Sequence, residues 1–157
     1  MKKFIIASIA LGFAGAASSA ELLATVEQGK AGASVMGLDV VSDGTVAGFS
    51  FAVELPGVEA KAIRSGNCVS QLPKGFSAQC SFTGGKIFVY AVADQRGTFL
   101  PSGVTSVGTI ALTSGLAKSG VRVSGFETSN DNGVSTPGVA KVDGVDMGDM
   151  AAEPVAN

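Results

Sequence analysis

The stretch Thr45-Val-Ala-Gly-Phe-Ser-Phe-Ala-Val-Glu-Leu55 decides the fold class of this chain. Its large apolar residues stand at every second position and alternate with small or polar ones: Phe49, Phe51, Val53 and Leu55. A period of two predicts a β-strand that turns one face towards a hydrophobic core. We expect the later segments to supply the opposite side of that core.

The first 20 residues predict an export signal and not a part of the fold. Lys2 and Lys3 give a basic start, an apolar run follows, and Ser18-Ser19-Ala20 supplies the small residues that a signal peptidase recognises. A transmembrane anchor is the alternative, but the apolar run is short and no charge cluster follows it. We expect the exported protein to comprise residues 21–157 as one domain, either secreted or periplasmic.

The composition of residues 21–157 argues against two classes of partner. Without Lys2 and Lys3, nine of the 11 basic residues remain against 13 acidic ones, a formal net charge of −4. A mildly acidic surface repels a phosphate backbone, so nucleic-acid binding is not expected. Residues 21–157 also lack an apolar run long enough to span a bilayer and a basic amphipathic segment. We therefore expect no membrane insertion after the signal is removed.

The two cysteines, Cys68 and Cys80, predict a structural disulfide. An even cysteine count in an exported chain favours this interpretation. The alternatives are a redox pair and a metal site. The spacing is not Cys-x-x-Cys, however, and the chain has no histidine to complete a set of metal ligands.

Further segments rich in β-branched and aromatic residues, bounded by Gly, Pro and Asn, predict more strands. They cover residues 22–28, 33–41, 58–64, 76–83, 86–94, 104–113, 120–128 and 134–142. Strand 120–128 is expected to show Val121, Val123 and Gly125 on one side and Phe126 on the other. The last strand is interrupted by Pro137 and is expected to lie at a sheet edge.

Two dipeptides predict β-hairpins. Asp43-Gly44 is expected to lead from strand 33–41 into the strand quoted above. Gly84-Gly85 separates strands 76–83 and 86–94 and predicts that they pair. Strand 33–41 has no clearly polar face, so it is either covered on both sides or paired at an edge with another chain.

The composition changes at Asp143, after which acidic residues lie among Gly, Met, Ala and Pro. We expect residues 143–157 to form a mobile acidic tail, and residues 21–142 to form the folded domain. No stretch shows a sustained 3.6-residue apolar period. The sequence therefore predicts an all-β, two-sheet antiparallel β-sandwich of jelly-roll type with very little helix.

The strand and turn patterns of residues 33–139 resemble those of cohesin-like domains, β-sandwiches related to carbohydrate-binding modules. The resemblance is carried by Ala33-Ser-Val-Met-Gly-Leu-Asp-Val-Val41, Val46-Ala-Gly-Phe-Ser-Phe-Ala-Val-Glu-Leu-Pro56, Gly85-Lys-Ile-Phe-Val-Tyr-Ala-Val-Ala-Asp94, Val104-Thr-Ser-Val-Gly-Thr-Ile-Ala-Leu112 and Val123-Ser-Gly-Phe-Glu-Thr-Ser-Asn-Asp-Asn-Gly133. Glu54-Leu55-Pro56 departs from the family's Tyr-Asp-Pro strand end, and the Cys68–Cys80 loop is an addition. No dockerin-contacting residue can be transferred.

The residue inventory argues against an enzyme. With no histidine, the usual general base is absent. Paired carboxylates could serve a glycosidase, and the candidates are Glu54, Glu59 and Asp94. Each lies at a strand end or an outward position, where a solvated charge is the ordinary explanation.

Two further features could bind a ligand. Asn130, Asp131 and Asn132, followed by Gly133, offer oxygen ligands for calcium, but an Asx-type turn is the favoured interpretation. No other cofactor is expected. Sugar binding usually recruits exposed Trp or Tyr; the chain has no Trp, and its one tyrosine, Tyr90, is expected to pack in the sandwich, although its phenol could reach a surface.

The resemblance implies an exported, non-catalytic module that binds a protein module or a surface glycan through a sheet face or an edge strand. The alternative is a structural subunit that assembles with copies of itself into a fibre or matrix. In that alternative, the apolar strand 33–41 would pair between copies.

Overall fold

A computed structural model describes residues 20–28, 32–64, 67–113, 115 and 120–147. The predicted export signal therefore lies almost wholly outside the described residues. Within them the strands are β1 (Glu21–Gln28), β2 (Ser34–Ser42), β3 (Gly48–Glu54), β4 (Ile63–Arg64), β5 (Phe76–Thr83), β6 (Lys86–Ala93), β7 (Gly103–Leu112), β8 (Arg122–Ser129), β9 (Ser135–Pro137), β10 (Val139–Val142) and β11 (Val145–Asp146). A short 3-10 turn, Ala60–Ala62, precedes β4 and takes up part of the strand predicted over 58–64.

The strands form two sheets that pack face to face. The six-stranded sheet has the order β11-β10-β1-β2-β7-β4, and the five-stranded sheet has the order β5-β6-β3-β8-β9. Neighbouring strands are antiparallel except for β1 and β10, which run parallel. The predicted all-β sandwich with very little helix is confirmed. None of the described residues forms a helix long and apolar enough to cross a membrane.

The strand that opens the sequence analysis is the centre of the five-stranded sheet. β3 pairs with β6 on one side and with β8 on the other, and its alternate residues Phe49, Phe51 and Val53 are buried. The Phe49 and Phe51 rings are stacked 6.1 Å apart, and the Phe126 ring meets Phe51 edge-on at 6.3 Å. The inner face of the other sheet completes the core with Leu22, Ala24, Val26, Met36, Leu38, Val40, Val107, Ile110 and Leu112.

The second strand is not an edge strand. β2 pairs along its length with β1 and with β7, so both of its backbone edges are occupied. The prediction that strand 33–41 pairs with another chain is therefore wrong, and with it the suggested route to a fibre. The sequence shows no clearly polar face because the outer side of β2 carries Val35 and Val41 beside Asp39.

Asp43-Gly44 forms a turn but not a hairpin. β2 and β3 belong to different sheets, so this segment carries the chain from one layer to the other. The Thr45 hydroxyl and amide donate to Asp43 Oδ1 at 2.6 and 2.9 Å and hold the pKa of that carboxyl below its ordinary value. The dipeptide indicates the local turn, but long-range pairing decides which sheet the next strand joins.

A bulge in β8 changes the predicted faces of that strand from Gly125 onward, while Val121 and Val123 are buried on one side as predicted. Gly125 has a φ of +62°, and the β3–β8 register shifts beside it. Val123 and Phe126 are both buried, although a regular strand would turn them to opposite faces. The bulge places the Phe126 ring in the core.

The predicted last strand is two strands in different sheets. β9 pairs with β8 and β10 pairs with β1, so the chain crosses between the layers at Gly138. A Cβ atom at Gly138 would lie 2.4 Å from the Phe126 ring, so the crossing requires glycine.

The folded part of the chain continues beyond Asp143, so the predicted tail starts too early. Asp143 and Gly144 make a turn, and β11 then pairs with β10. The Val26 amide donates to Asp143 Oδ1 at 2.9 Å, which attaches the turn to β1. Residues 148–157, the rest of the predicted tail, lie outside the described residues.

The Cys68–Cys80 disulfide joins the two layers. Cys80 lies on the inner side of β5, and Cys68 is fully buried in a loop that packs on β7. The loop approaches closely because Gly108 has no side chain: a Cβ atom there would lie 2.4 Å from the Asn67 carbonyl oxygen. The two cysteines thus form the bond that the sequence predicts, with their Cα atoms 6.2 Å apart.

Replacing both cysteines, Cys68→Ala with Cys80→Ala, should lower the free energy of unfolding by about 2–3 kcal/mol, because the unfolded chain regains the entropy of a loop of roughly 13 residues. Urea titration measures the change. Wild-type protein treated with a reductant should show a similar loss. An unchanged midpoint in both would contradict a stabilising role for the bond.

Gly108→Ala should destabilise the fold by about 1–3 kcal/mol, because the new methyl group overlaps the backbone of the Cys68 loop. Gly37→Ala is the matched control in the same sheet, since nothing lies within 4 Å of a Cβ atom there. Thermal unfolding should show a lower midpoint for the first variant and little change for the second. Equal midpoints would contradict the close packing of the loop.

Candidate binding surface on the five-stranded sheet

The hairpin at Gly84-Gly85 presents a row of apolar side chains to solvent. Both glycines have positive φ angles, and Thr83 pairs with Lys86, as predicted. Side chains of β6 alternate between the core and the outer face. The outer set is exposed by 46% for Phe88, 53% for Tyr90 and 36% for Val92. We call these three residues the β6 ridge.

Tyr90 does not pack in the sandwich. Its ring stands on the outer face, while Ile87, Val89 and Ala91 fill the core from the same strand. The sequence could not assign the two faces because both are apolar. The exposed positions of Phe88 and Val92 were missed for the same reason, and the only signal for them was their shared alternation with Tyr90.

Uncharged, non-aromatic residues flank the two rings of the β6 ridge. In the β5 and β3 registers Tyr90 lies between Gln79 and Ser50, and Phe88 lies between Ser81 and Ala52. With these neighbours, about half of the surface of each residue, Phe88 and Tyr90, is accessible. The ridge spans about 13 Å from Phe88 to Val92, at the usual rise of a strand.

Charged groups surround the ridge at its ends and on one side. At one end Lys86 Nζ lies 2.6 Å from Glu54 Oε1, and Arg122 pairs with Glu54 in the β3–β8 register. At the other end Asp94 accepts a hydrogen bond from the Ser77 hydroxyl, and Glu127 lies opposite Ser50 at the side. An apolar centre with a charged rim is the usual arrangement of a protein-binding surface.

Two depressions lie beside this face. The smaller, of about 120 Å³, adjoins Tyr90 and is lined by Ser50, Val92, Glu127 and Ser135. The larger, of about 370 Å³, lies where the chain crosses from β9 to β10 and is lined by Gly125, Phe126, Pro137 and Asp146. The smaller one extends the accessible surface of Tyr90 towards β8.

Two of the three candidate carboxylates, Glu54 and Asp94, lie too far apart to form a catalytic pair. Glu54 is bound to Lys86, and Glu59 forms a surface ion pair with Lys61. Glu54 lies opposite Lys86, and Asp94 follows Lys86 by eight positions along the chain. At the usual rise of a strand, Glu54 and Asp94 are therefore about 25 Å apart. Glycosidase carboxylates lie within about 10 Å of each other. The arrangement gives Glu54 and Asp94 no common reaction centre.

The candidate calcium loop is an Asx turn. Asn130 Oδ1 accepts hydrogen bonds from the amides of Asn132 and Val134, each at 3.0 Å. Asp131 Oδ1 accepts from the Gly97 amide at 3.0 Å and so attaches the loop to the turn that follows β6. Among the residues that the structure describes, no three acidic, His or Cys side chains gather in a group that could hold a metal.

Calcium should leave the thermal midpoint of unfolding unchanged, because Asn130 Oδ1 and Asp131 Oδ1, two of the candidate ligand atoms, already accept backbone hydrogen bonds. Asp131→Ala should lower the free energy of unfolding by about 0.5–1.5 kcal/mol through loss of the Gly97 bond, equally with calcium and with chelator. Scanning calorimetry tests both statements. A calcium-dependent rise that disappears in Asp131→Ala would instead establish a cation site.

Known structures share this architecture. The chain is similar to a non-cellulosomal cohesin from the archaeon Archaeoglobus fulgidus, with a TM-score of 0.52 and 14% identity over 80% of this chain and 86% of that one. It is similar to a chain of a type I cohesin–dockerin complex from Clostridium thermocellum, with a TM-score of 0.53 and 14% identity over 80% and 92%. The sixth cohesin of scaffoldin B from Acetivibrio cellulolyticus, solved with a dockerin, gives 0.52 and 17% over 80% and 98%.

The fold of this chain is therefore that of a cohesin-like β-sandwich, as the sequence resemblance implied. The sequence itself matches no protein-family model and no curated protein. At this level of identity the likeness concerns the fold, and the surface chemistry has to be argued from the residues of this chain.

Proposed function

We propose that this protein is a non-catalytic binding module that recognises a protein module through the outer face of its five-stranded sheet. The observation that carries the proposal is the β6 ridge, where two aromatic rings and a valine are exposed side by side. Burying such rings supplies much of the binding energy at protein interfaces, where aromatic residues are enriched among the critical positions.

The electrostatic rim supports a protein partner over an apolar surface such as a lipid. Lys86, Glu54 and Arg122 place both signs of charge at one end of the ridge, and Asp94 and Glu127 add negative charge elsewhere. Mixed charges around an apolar centre favour a defined orientation of a folded partner. Two of the structurally similar chains were solved in complexes with dockerins, so dockerin modules are the first class of partner to test.

A surface glycan is the second candidate. The exposed rings of Tyr90 and Phe88 could stack on pyranose faces, and Gln79 and Ser50 beside Tyr90 offer hydrogen-bonding groups.

The proposed function includes a location outside the cytoplasm, either secreted or periplasmic. Two observations support this localisation. Residues 1–20 carry the pattern of an export signal, and a disulfide crosses the core. Disulfides form and persist in oxidising compartments, whereas cytosolic thiols are kept reduced.

The double variant Phe88→Thr with Tyr90→Thr should weaken binding at least tenfold, because it removes both rings and keeps the β-propensity of the strand. Val104→Thr is the control, an exposed apolar residue of the other sheet. Each protein is immobilised and challenged with dockerin modules and with envelope and secreted fractions of the source organism, and affinities are measured for what is retained.

A protein bound by the wild type and by the control, but released by the double variant, would support the proposal. A polysaccharide with the same behaviour would support the glycan alternative. Equal binding by all three proteins, or no binding to any of them, would contradict a role for the β6 ridge.

A further inference from the structure

β5 forms one edge of the five-stranded sheet and has a free backbone side. Within the described residues it pairs with β6 alone. In a hairpin with a two-residue turn, the residues that flank the turn, here Thr83 and Lys86, form a hydrogen-bonded pair. Hydrogen-bonded pairs with β6 therefore recur at every second residue of β5. Two hydrogen bonds support this alternation between bonded and non-bonded pairs. The Asp94 amide donates to the Gly75 carbonyl, whereas the Ala93 amide points away from β5 and donates to the Ala47 carbonyl.

This alternation determines which backbone groups of β5 are not bonded to β6 and can bond to an added strand. Odd-numbered residues of β5 bond to β6, and the N–H and C=O groups of the even-numbered residues point outward from the sheet edge: Phe76, Ala78, Cys80 and Phe82. These groups match the hydrogen-bonding pattern of an added antiparallel strand.

β5 also lacks the features that usually prevent strand addition. Phe76–Thr83 contains no charged residue and no proline, and its pairing with β6 runs without a bulge over all eight residues. The opposite edge of the sheet, β9, has three residues and ends in Pro137, and the edges of the other sheet, β4 and β11, have two residues each. A long, regular and uncharged edge is an exception among edge strands.

The sequence of this edge is nearly a palindrome. Phe76-Ser-Ala-Gln-Cys-Ser-Phe82 reads the same in both directions, apart from alanine and cysteine at the third and fifth positions. When two such strands run antiparallel about Gln79, Phe76 lies opposite Phe82 and Ser77 lies opposite Ser81. Residues that face the core lie opposite residues that face the core, as a shared sheet requires.

We propose that two copies of this protein pair through β5 about a two-fold axis at Gln79, and so form one continuous ten-stranded sheet. The side chains of this edge favour a second copy as the partner, because in this register phenylalanine lies opposite phenylalanine, serine opposite serine and glutamine opposite glutamine. Phe76 of each copy would lie against Phe82 of the other. Both residues are only partly buried in the single chain, so the pairing would bury more of their apolar surface. The outward groups of the four even-numbered residues in each copy would form about eight hydrogen bonds.

This pairing is distinct from the proposed function and would change how the surface is presented. Tyr90 lies opposite Gln79, so the two-fold axis brings both Tyr90 rings into one row across the shared sheet. Three strand spacings separate them, about 14 Å. The interface is closed because the two-fold axis occupies β5 of both copies. The other edges of the described sheets are short or end in proline, so assembly stops at two copies.

The test uses charge at the two-fold axis. In the full chain, purified with its disulfide intact, Gln79→Lys and Gln79→Glu each place two like charges opposite each other on an exposed position. Sedimentation equilibrium over a wide concentration range should show wild-type dimer and at least a tenfold weaker association for each variant. An equimolar mixture of the two variants should restore the dimer, since an ammonium group of one copy then faces a carboxylate of the other.

Thr25→Lys is the matched control, because it adds a positive charge at an exposed position of the other sheet. It should associate like the wild type. A wild-type chain that remains monomeric at all concentrations would overturn the proposal, and so would a dimer that Gln79→Lys leaves intact or a mixture that fails to reassociate.

Amide hydrogen exchange locates the contact. On concentration, the amides of Ala78 and Cys80 should become protected by at least tenfold, and the amide of Gln79, already bonded to β6, should change little. Protection elsewhere with none in β5 would overturn the proposal. This readout is independent of the β6 ridge and of any partner, so it separates failure of self-pairing from failure of the proposed binding function.

Discussion

The structure depends on the burial of one strand between two others. β3 contributes Phe49, Phe51 and Val53 to the core, and its two backbone edges bond to β6 and β8. Burial of these side chains contributes on the order of 1.5–3 kcal/mol each, before the entropy of ordering the chain is considered. The strands around it either flank this strand or cover its inner face. The β3–β6 register places Val89 beside Phe51 on the buried face and leaves Tyr90 on the outer one.

The sequence predicts what is local. The period-two pattern identifies β3, and Gly84-Gly85 identifies the β5–β6 hairpin, because both signals lie within a few residues of the structure they describe. It could not predict that β2 is an interior strand, since its neighbour β7 lies about 70 residues further along the chain. The same limit explains Asp43-Gly44, where turn chemistry is correct but the sheet of the next strand is set by distant contacts.

The candidate site shows a second limit. Both faces of β6 are apolar, so periodicity identifies a strand without identifying its inner side. Only the placement of the opposite sheet assigns Ile87 and Val89 to the core and leaves Tyr90 outside. A similar ambiguity affects β8, where one glycine with positive φ moves Phe126 to the inner face. Carboxylate placement was easier, because strand ends predict solvated charges and Glu54 and Asp94 are found at such ends.

The parallel pairing of β1 with β10 has a consequence for the order of folding. Glu21 lies beside Val139 and Ala24 beside Val142, so the six-stranded sheet cannot be completed until nearly the whole described chain is available. The β5–β6 hairpin, by contrast, closes across two residues and can form early. Contacts of such long sequence separation slow folding, because loop-closure entropy is lost before they form. β1, the first of the described strands, can therefore complete its pairing only once β10 has been synthesised, so the sheet reaches its native topology after synthesis of the domain.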